Sequence, residues 1–133
     1  MIDVAEDRGF VKIRSSHSAT ATADRLEGLL KEHGITVFAR IDFSGDAARA
    51  GLAMRPEQML IFGNPKAGTP LMQVEPAAGL DLPLKALAWD DADGNSWLAY
   101  NEPEYIVRRH GLPMKLAKSL AAVIPLIEQA AAG

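Results

Sequence analysis

The sequence predicts an α+β fold in which a mostly antiparallel sheet carries its longer helices on one face. Three observations point there. Residues 10–14 and 36–43 alternate apolar with polar side chains, the period of half-buried strands. Two further strand-like runs, 84–90 and 96–101, are joined by Asp91, Ala92, Asp93 and Gly94, and Asp-Gly supplies the positive-φ turn of a local hairpin. Near both ends of the chain, apolar residues recur three and four positions apart, as on amphipathic helices. An order of strand, helix, four strands, helix with a local hairpin segregates helices from strands in an α+β layout.

The elements follow in turn. Val11 and Ile13 alternate with Lys12 and Arg14 in the first strand. Ser18 is placed to cap a helix carrying Ala23, Leu26, Leu29, Leu30 and His33, which Gly34 ends. The second strand, 36–43, sets Val37, Ala39, Ile41 and Phe43 on one face, with Phe38, Arg40 and Asp42 on the other. A short alanine-rich helix is expected over 46–52. The unbroken run Met59–Phe62 reads as a central strand buried on both faces. Thr69 and Pro70 have the signature of a helix cap and first helical position, which Pro76 limits to about one turn. After the hairpin, Pro103 opens a short helix that Gly111 stops. Pro113 opens the last helix, where Pro125 predicts a kink or an early end, because an interior proline removes a backbone hydrogen bond. The closing AAAG is expected to fray.

Composition narrows the function classes. The 133 residues fit one domain, 1–133, and 48% hydrophobic content supplies a single ordinary core. Fourteen basic against seventeen acidic residues, a net charge of -3, give no general attraction to nucleic acid or anionic lipid. Neither nucleic acid nor membrane is expected as a partner. Without cysteine there is no disulfide, thiolate nucleophile or cysteine-ligated metal. An acidic start without a basic or apolar leader, and no apolar run of membrane-spanning length, set the expected location in the cytoplasm.

The runs HSATATADRLEGLLKEHGITVFARIDFSGDAARAGLAMRP (17–56), MLIFGNPKAGTPLM (59–72), GLDLPLKALAWDD (79–91) and WLAYNEP (97–103) resemble the domain of unknown function 302 family over nearly the whole chain. The resemblance implies the β-α-β(4)-α arrangement of the TT1751-like superfamily, grouped with the TATA-binding-protein-like folds. That family has no established reaction. Its members occur as small cytosolic proteins and as domains attached to other modules, which implies an accessory or sensing role. Fold likeness to a DNA-binding protein does not transfer DNA binding.

The strongest candidate site is the loop Gly63, Asn64, Pro65, Lys66, Ala67, Gly68, Thr69. A helix beginning at Pro70 would leave the N–H groups of Leu71 and Met72 free beside the Lys66 ammonium, a setting that favours a small anionic ligand. The spacing is not that of a P-loop. The plainer account is a tight connection with Lys66 in solvent. Tyr100, Asn101, Glu102 and Tyr105 form a second polar cluster, explained largely by capping of the helix at Pro103. If the strands ending at Gly63 and Asn101 finish on one side of the sheet, Asn64, Lys66, Gly68, Thr69, Tyr100 and Asn101 could line one ligand-binding pocket.

Other groups carry less. His33 and His110 stand at helix ends, where a cation is favoured by about 0.3–1 kcal/mol. His17, ahead of a helix, is the one histidine worth testing for function. Asp90, Asp91 and Asp93 fail the calcium-loop pattern and read as a hairpin turn, so no metal and no cofactor is expected. Asp42 has the chemistry of a general base but no placed acid partner, and no nucleophile elbow occurs. Trp89 and Trp97 are placed to face each other across the hairpin. An exposed aromatic face would bury against a second subunit or wall a cavity.

These features favour a non-enzymatic ligand-binding or accessory domain, a homodimer, binding a small anion at 63–72. An enzyme using Lys66, His17 or Tyr105 is the first alternative. A purely structural homodimeric module working through a sheet edge or an apolar face is the second.

Overall fold

A computed structural model of the chain describes residues 2–5 and 8–133. Six strands form one sheet in the order β1-β2-β6-β5-β4-β3, every neighbouring pair antiparallel. They are β1 (Ile2–Ala5), β2 (Phe10–Ser15), β3 (Thr36–Asp42), β4 (Glu57–Gly63), β5 (Leu84–Asp90) and β6 (Ser96–Asn101). The five predicted strands are present, and β1 adds an outer strand beside β2. The hairpin joining β5 to β6 turns on Gly94 at φ 82° and brings Trp89 directly opposite Trp97.

The helices are α1 (Ala19–Glu32), α2 (Phe43–Arg49), α3 (Pro65–Val74), α4 (Pro103–Arg109), α5 (Ala117–Ala121) and α6 (Ile124–Ala131). Helix α1 begins where Ser18 Oγ accepts from Ala21 N–H and ends before Gly34 at φ 72°. Leu26 and Leu30 on α1, with Ile127 and Ala130 on α6, pack onto Val11, Ile13, Leu60, Phe62 and Leu98 of the sheet. A second apolar cluster joins Leu71 of α3 to Ile106 and Val107 of α4 and Leu120 of α5. Inside the main layer, the hydroxyls of Ser15 and Thr22 pair at 2.6 Å, so neither is an unsatisfied buried group.

Pro125 acts as the pattern required. The helical run breaks after Ala121, and Pro125 takes a place in the first turn of α6, where its missing N–H costs no helix bond. The end of α6 is tied down, contrary to the expected fraying. Ser16 N–H donates to Ala131 C=O at 2.9 Å, and Arg25 donates to the carbonyls of Gln129 and Ala130, each at 3.0 Å. Ala130 and Ala131 are buried. A guanidinium spread over the last carbonyls of a helix is a strong C-terminal cap.

Three expectations about the strands are corrected. Phe43 begins α2, because Asp42 caps that helix by accepting from Gly45 N–H at 3.0 Å. The alternation of β3 is broken by a bulge. Val37 pairs with Phe62 and Ala39 with Ile61, so Phe38 has no partner and the residues beyond it change faces. Arg40 therefore lies on the helix-covered face beside Val37, while Ala39 and Ile41 turn to the other. Finally, β4 is not buried on both sides. Gln58, Leu60 and Phe62 are buried, whereas Met59 and Ile61 are half-exposed on a sheet face that no helix covers.

Candidate functional site

Helix α3 starts five residues earlier than predicted. Pro65, not Pro70, takes the first helical position, and Asn64 is the cap. Asn64 Oδ1 accepts from Lys66 N–H at 2.9 Å, and its backbone carbonyl accepts from Ala67 N–H at 2.9 Å and Gly68 N–H at 3.1 Å. Proline has no N–H, so the first turn keeps no spare donor. Leu71 and Met72 lie well inside the helix, where their N–H groups bond the carbonyls four residues back. The donor set proposed for an anion is thus used internally. Lys66 is exposed, and its ammonium has no hydrogen bond or ion pair among the described residues.

An apolar groove does lie against this segment. Gly63, Asn64, Gly68, Thr69 and Met72 line one side of a groove of about 290 Å³, and Phe38, Leu82, Pro83 and Leu84 line the other. Its surface is almost wholly apolar, with Asn64 and Thr69 as polar points on the rim. Lys66 is outside the lining, one helical turn before Thr69 and hence on the same side of α3. Phe38 is 54% exposed and Met72 38%, so both are open to solvent at the groove. Phe38 reaches the groove because it is the bulge residue. At Gly63, its ring lies 3.6 Å from where a Cβ would be.

Strands β4 and β6 end on the same side of the sheet, since both run antiparallel to β5. Asn64 and Asn101 therefore share an end of the molecule, as the convergence idea requires. They do not share a pocket. Tyr100 and Asn101 line a separate, narrow crevice with Phe62, Pro103 and Ile127, and Leu84 forms the wall between it and the groove. Burial, followed by the nearby Glu128 and Glu102 charges, pushes the Tyr100 hydroxyl above its ordinary pKa. Glu102 caps α4 without any side-chain bond, and the Tyr105 ring packs onto Gly9.

The remaining polar candidates each have partners within the fold. His17 Nε2 donates to Ala132 C=O at 2.8 Å, which makes it part of the clasp on α6. His33 Nδ1 lies 2.9 Å from Leu29 C=O at the end of α1, as expected of a cap. His110 does more than cap. Half-buried at the end of α4, it meets Asp81 at 2.6 Å, and Arg109 donates to both oxygens of the same carboxylate. Asp42 is held below its ordinary pKa by Gly45 N–H and then by the Ser44 hydroxyl. Asp91 is held low by the Trp97 indole N–H and then by Asn95 N–H. Carboxylates stabilised in the charged form make poor bases at neutral pH. No cluster of potential metal ligands occurs among the described residues.

Sequence reasoning missed two features. The far wall of the groove comes from β3 and the stretch before β5, which local patterns cannot bring together. It also missed the Arg40 network: the guanidinium donates to Gln58 Oε1 at 2.7 Å, Asp24 at 2.7 Å and Glu27 at 3.0 Å. Burial opposes the charge on Arg40, but the hydrogen bonds to Asp24 and Glu27 outweigh it and hold its pKa above the usual value.

Comparison with known proteins places the chain. It is 41% identical over 118 residues to proteins named fluoride-specific ion channels from Brucella suis biovar 1 and Brucella abortus biovar 1, covering 89% of this chain but only 46% and 44% of theirs. The chain thus spans less than half the length of these relatives. No helix among the described residues is long and apolar enough to cross a membrane. A crystal structure of an uncharacterised conserved protein of the same family from Bacillus stearothermophilus superposes with a TM-score of 0.75 at 19% identity, covering 93% of this chain and 96% of that one, which shows the shared fold. The sequence profile described as "Domain of unknown function DUF302" matches residues 11–130, and the chain belongs to that family.

Proposed function

We propose that this chain is a non-enzymatic accessory domain that holds a small amphipathic molecule in the groove beside α3, with the apolar body between Phe38, Met72 and Leu82 and an acidic end at the rim near Lys66. One observation carries the reading: the apolar groove opens on the segment 63–72. Pockets of this size, mostly apolar with a few polar rim groups, suit small ligands. The anionic ligand expected from the sequence is retained only as the head of such a molecule, because the backbone donors for a bare anion are used inside α3. Lys66 on α3, His17 between β2 and α1, and Tyr105 on α4 lie on separate stretches of the fold, which favours binding over catalysis by that set.

The Brucella relatives fit an accessory role. They are named as channels, and the stretch matched here is the smaller part of each. We assign their conducting part to the remainder of those chains, because the described residues here supply no membrane-crossing helix.

The test is a titration followed by NMR, with octanoate and inorganic phosphate as separate probes. Octanoate is expected to give saturable shifts at the Gly68 amide and the Met72 methyl, and Met72→Glu is expected to abolish the Gly68 shift. Absence of any shift, or equal shifts with phosphate alone, would overturn the reading.

A further inference from the structure

The sheet face opposite the helices is uncovered and rich in apolar side chains. By strand alternation it presents Phe10 and Lys12 on β2, Trp97 and Ala99 on β6, Lys85, Leu87 and Trp89 on β5, and Met59 and Ile61 on β4, with the Lys12 ammonium 4.3 Å from the centre of the Trp97 ring. Both tryptophans of the protein are on it, half-buried. The pairing register adds a second feature. Arg14 pairs with Trp97, Trp97 with Trp89, and Trp89 with Glu57. One row across the four central strands therefore reads basic, aromatic, aromatic, acidic.

That row is complementary to itself. A twofold axis parallel to the strands, running between β6 and β5, carries β2 over β4 of a second copy and β6 over β5. Arg14 then meets Glu57 of the second copy, and Trp97 meets Trp89 of the second copy. In the next row, small Ala99 meets Leu87, and Lys12 meets Met59. We propose that this face is the interface of a symmetric homodimer, closed by two Arg14–Glu57 pairs around a core of four tryptophans. Isologous twofold contacts require this kind of self-complementary patch.

The area is sufficient. Strands about 4.8 Å apart, with residues about 3.3 Å apart, give six strands of this length a face of roughly 24 by 20 Å. Two such faces remove about 1,000 Å² from water before side-chain relief is added, the lower bound of a specific interface. Glu57 is half-buried without a side-chain partner among the described residues, while Arg14 is exposed, bonded to Asn95 and stacked 5.6 Å from the centre of the Trp97 ring. The inference is independent of the groove, which opens at one end of the sheet.

Sedimentation velocity on the full chain, with circular dichroism as a folding control, tests it. The protein is expected to sediment as a dimer. Arg14→Glu and Glu57→Arg, each alone, are expected to weaken the dimer at least about tenfold by setting like charges together. The double swap is expected to restore it. If a single variant fails to fold, iodide quenching of the wild type gives the second reading: both tryptophans should be shielded in the dimer and become accessible on dilution. A wild type that stays monomeric, single variants that dimerise unchanged, or tryptophans equally quenched at all concentrations would overturn the proposal.

Discussion

Arg40 reaches Glu27 at 3.0 Å, linking outer strand β3 to α1, and it does so because Phe38 drops out of the ladder between Val37 and Ala39. One extra residue thus converts an outward-facing arginine into a bridge between layers. It also delivers Phe38 to the groove. The same bulge serves stability and the candidate site.

This relationship makes an unusual deletion harmless. Removing Phe38 leaves Val37 opposite Phe62 and Arg40 opposite Leu60, so every remaining side chain keeps its face. The variant is expected to fold with its urea midpoint little changed and to lose octanoate binding. Arg40→Ala is expected to be the more damaging change for stability, by about 1–2 kcal/mol, because Gln58 and two carboxylates lose a shared donor.

Two glycine substitutions should move stability in opposite directions. At Gly9, φ is 75° and an added Cβ would fall 2.2 Å from Tyr105 Cγ, so Gly9→Ala is expected to cost more than about 2 kcal/mol. Gly28 faces open space on α1, and Gly28→Ala is expected to add about 0.5–1 kcal/mol. Chemical denaturation of both variants checks the pair.

The α3 cap separates a structural asparagine from a solvent lysine. Asn64→Ala removes the acceptor for Lys66 N–H and is expected to lower stability by about 1 kcal/mol. Lys66→Ala is expected to stay within about 0.5 kcal/mol of the wild type while weakening octanoate binding. Thermal unfolding and the NMR titration measure the two effects.

Acid should weaken the fold through identified carboxylates. Asp42 and Asp91 lie below their ordinary value of 3.8, and Glu27 lies below 4.5 through its bonds to Lys31 and Arg40. A carboxyl whose folded pKa is depressed contributes its stability above the unfolded pKa and loses it as pH falls through the folded one. Stability from these groups is therefore expected to be constant from neutral pH down to about 5 and to decline below about 4. Asp91→Asn should flatten that decline, as read from urea midpoints across the acid range.

Much of the fold was legible because its signals are local. Ser18 and Gly34 bracket α1, Asp-Gly turns the hairpin, and Pro125 divides the last helical run. The errors arose where tertiary contacts chose between acceptable local readings. Pro65 and Pro70 can each begin a helix, and the Asn64 cap with Leu71 packed in the core selects the earlier start. Periodicity alone cannot show a bulge, so the faces of β3 were misread beyond Phe38. The alanine tail carries no capping signal of its own, since its partners are Ser16, His17 and Arg25, more than a hundred residues away in sequence. In the candidate site, the glycines and prolines of 63–72 mark the segment in the sequence. Its apolar character is not marked there, because Phe38 and Leu82 come from distant strands and turns.

Strand β3 is an outer strand of the sheet, and its irregularity has a protective consequence. A flat outer strand offers an unbroken row of backbone donors and acceptors on which a foreign chain can template, the first step toward fibrils. At Phe38 that row is interrupted, and bulges of this kind increase the local twist. Lateral growth of the sheet is thereby discouraged on this side, leaving a margin that resists runaway polymerisation.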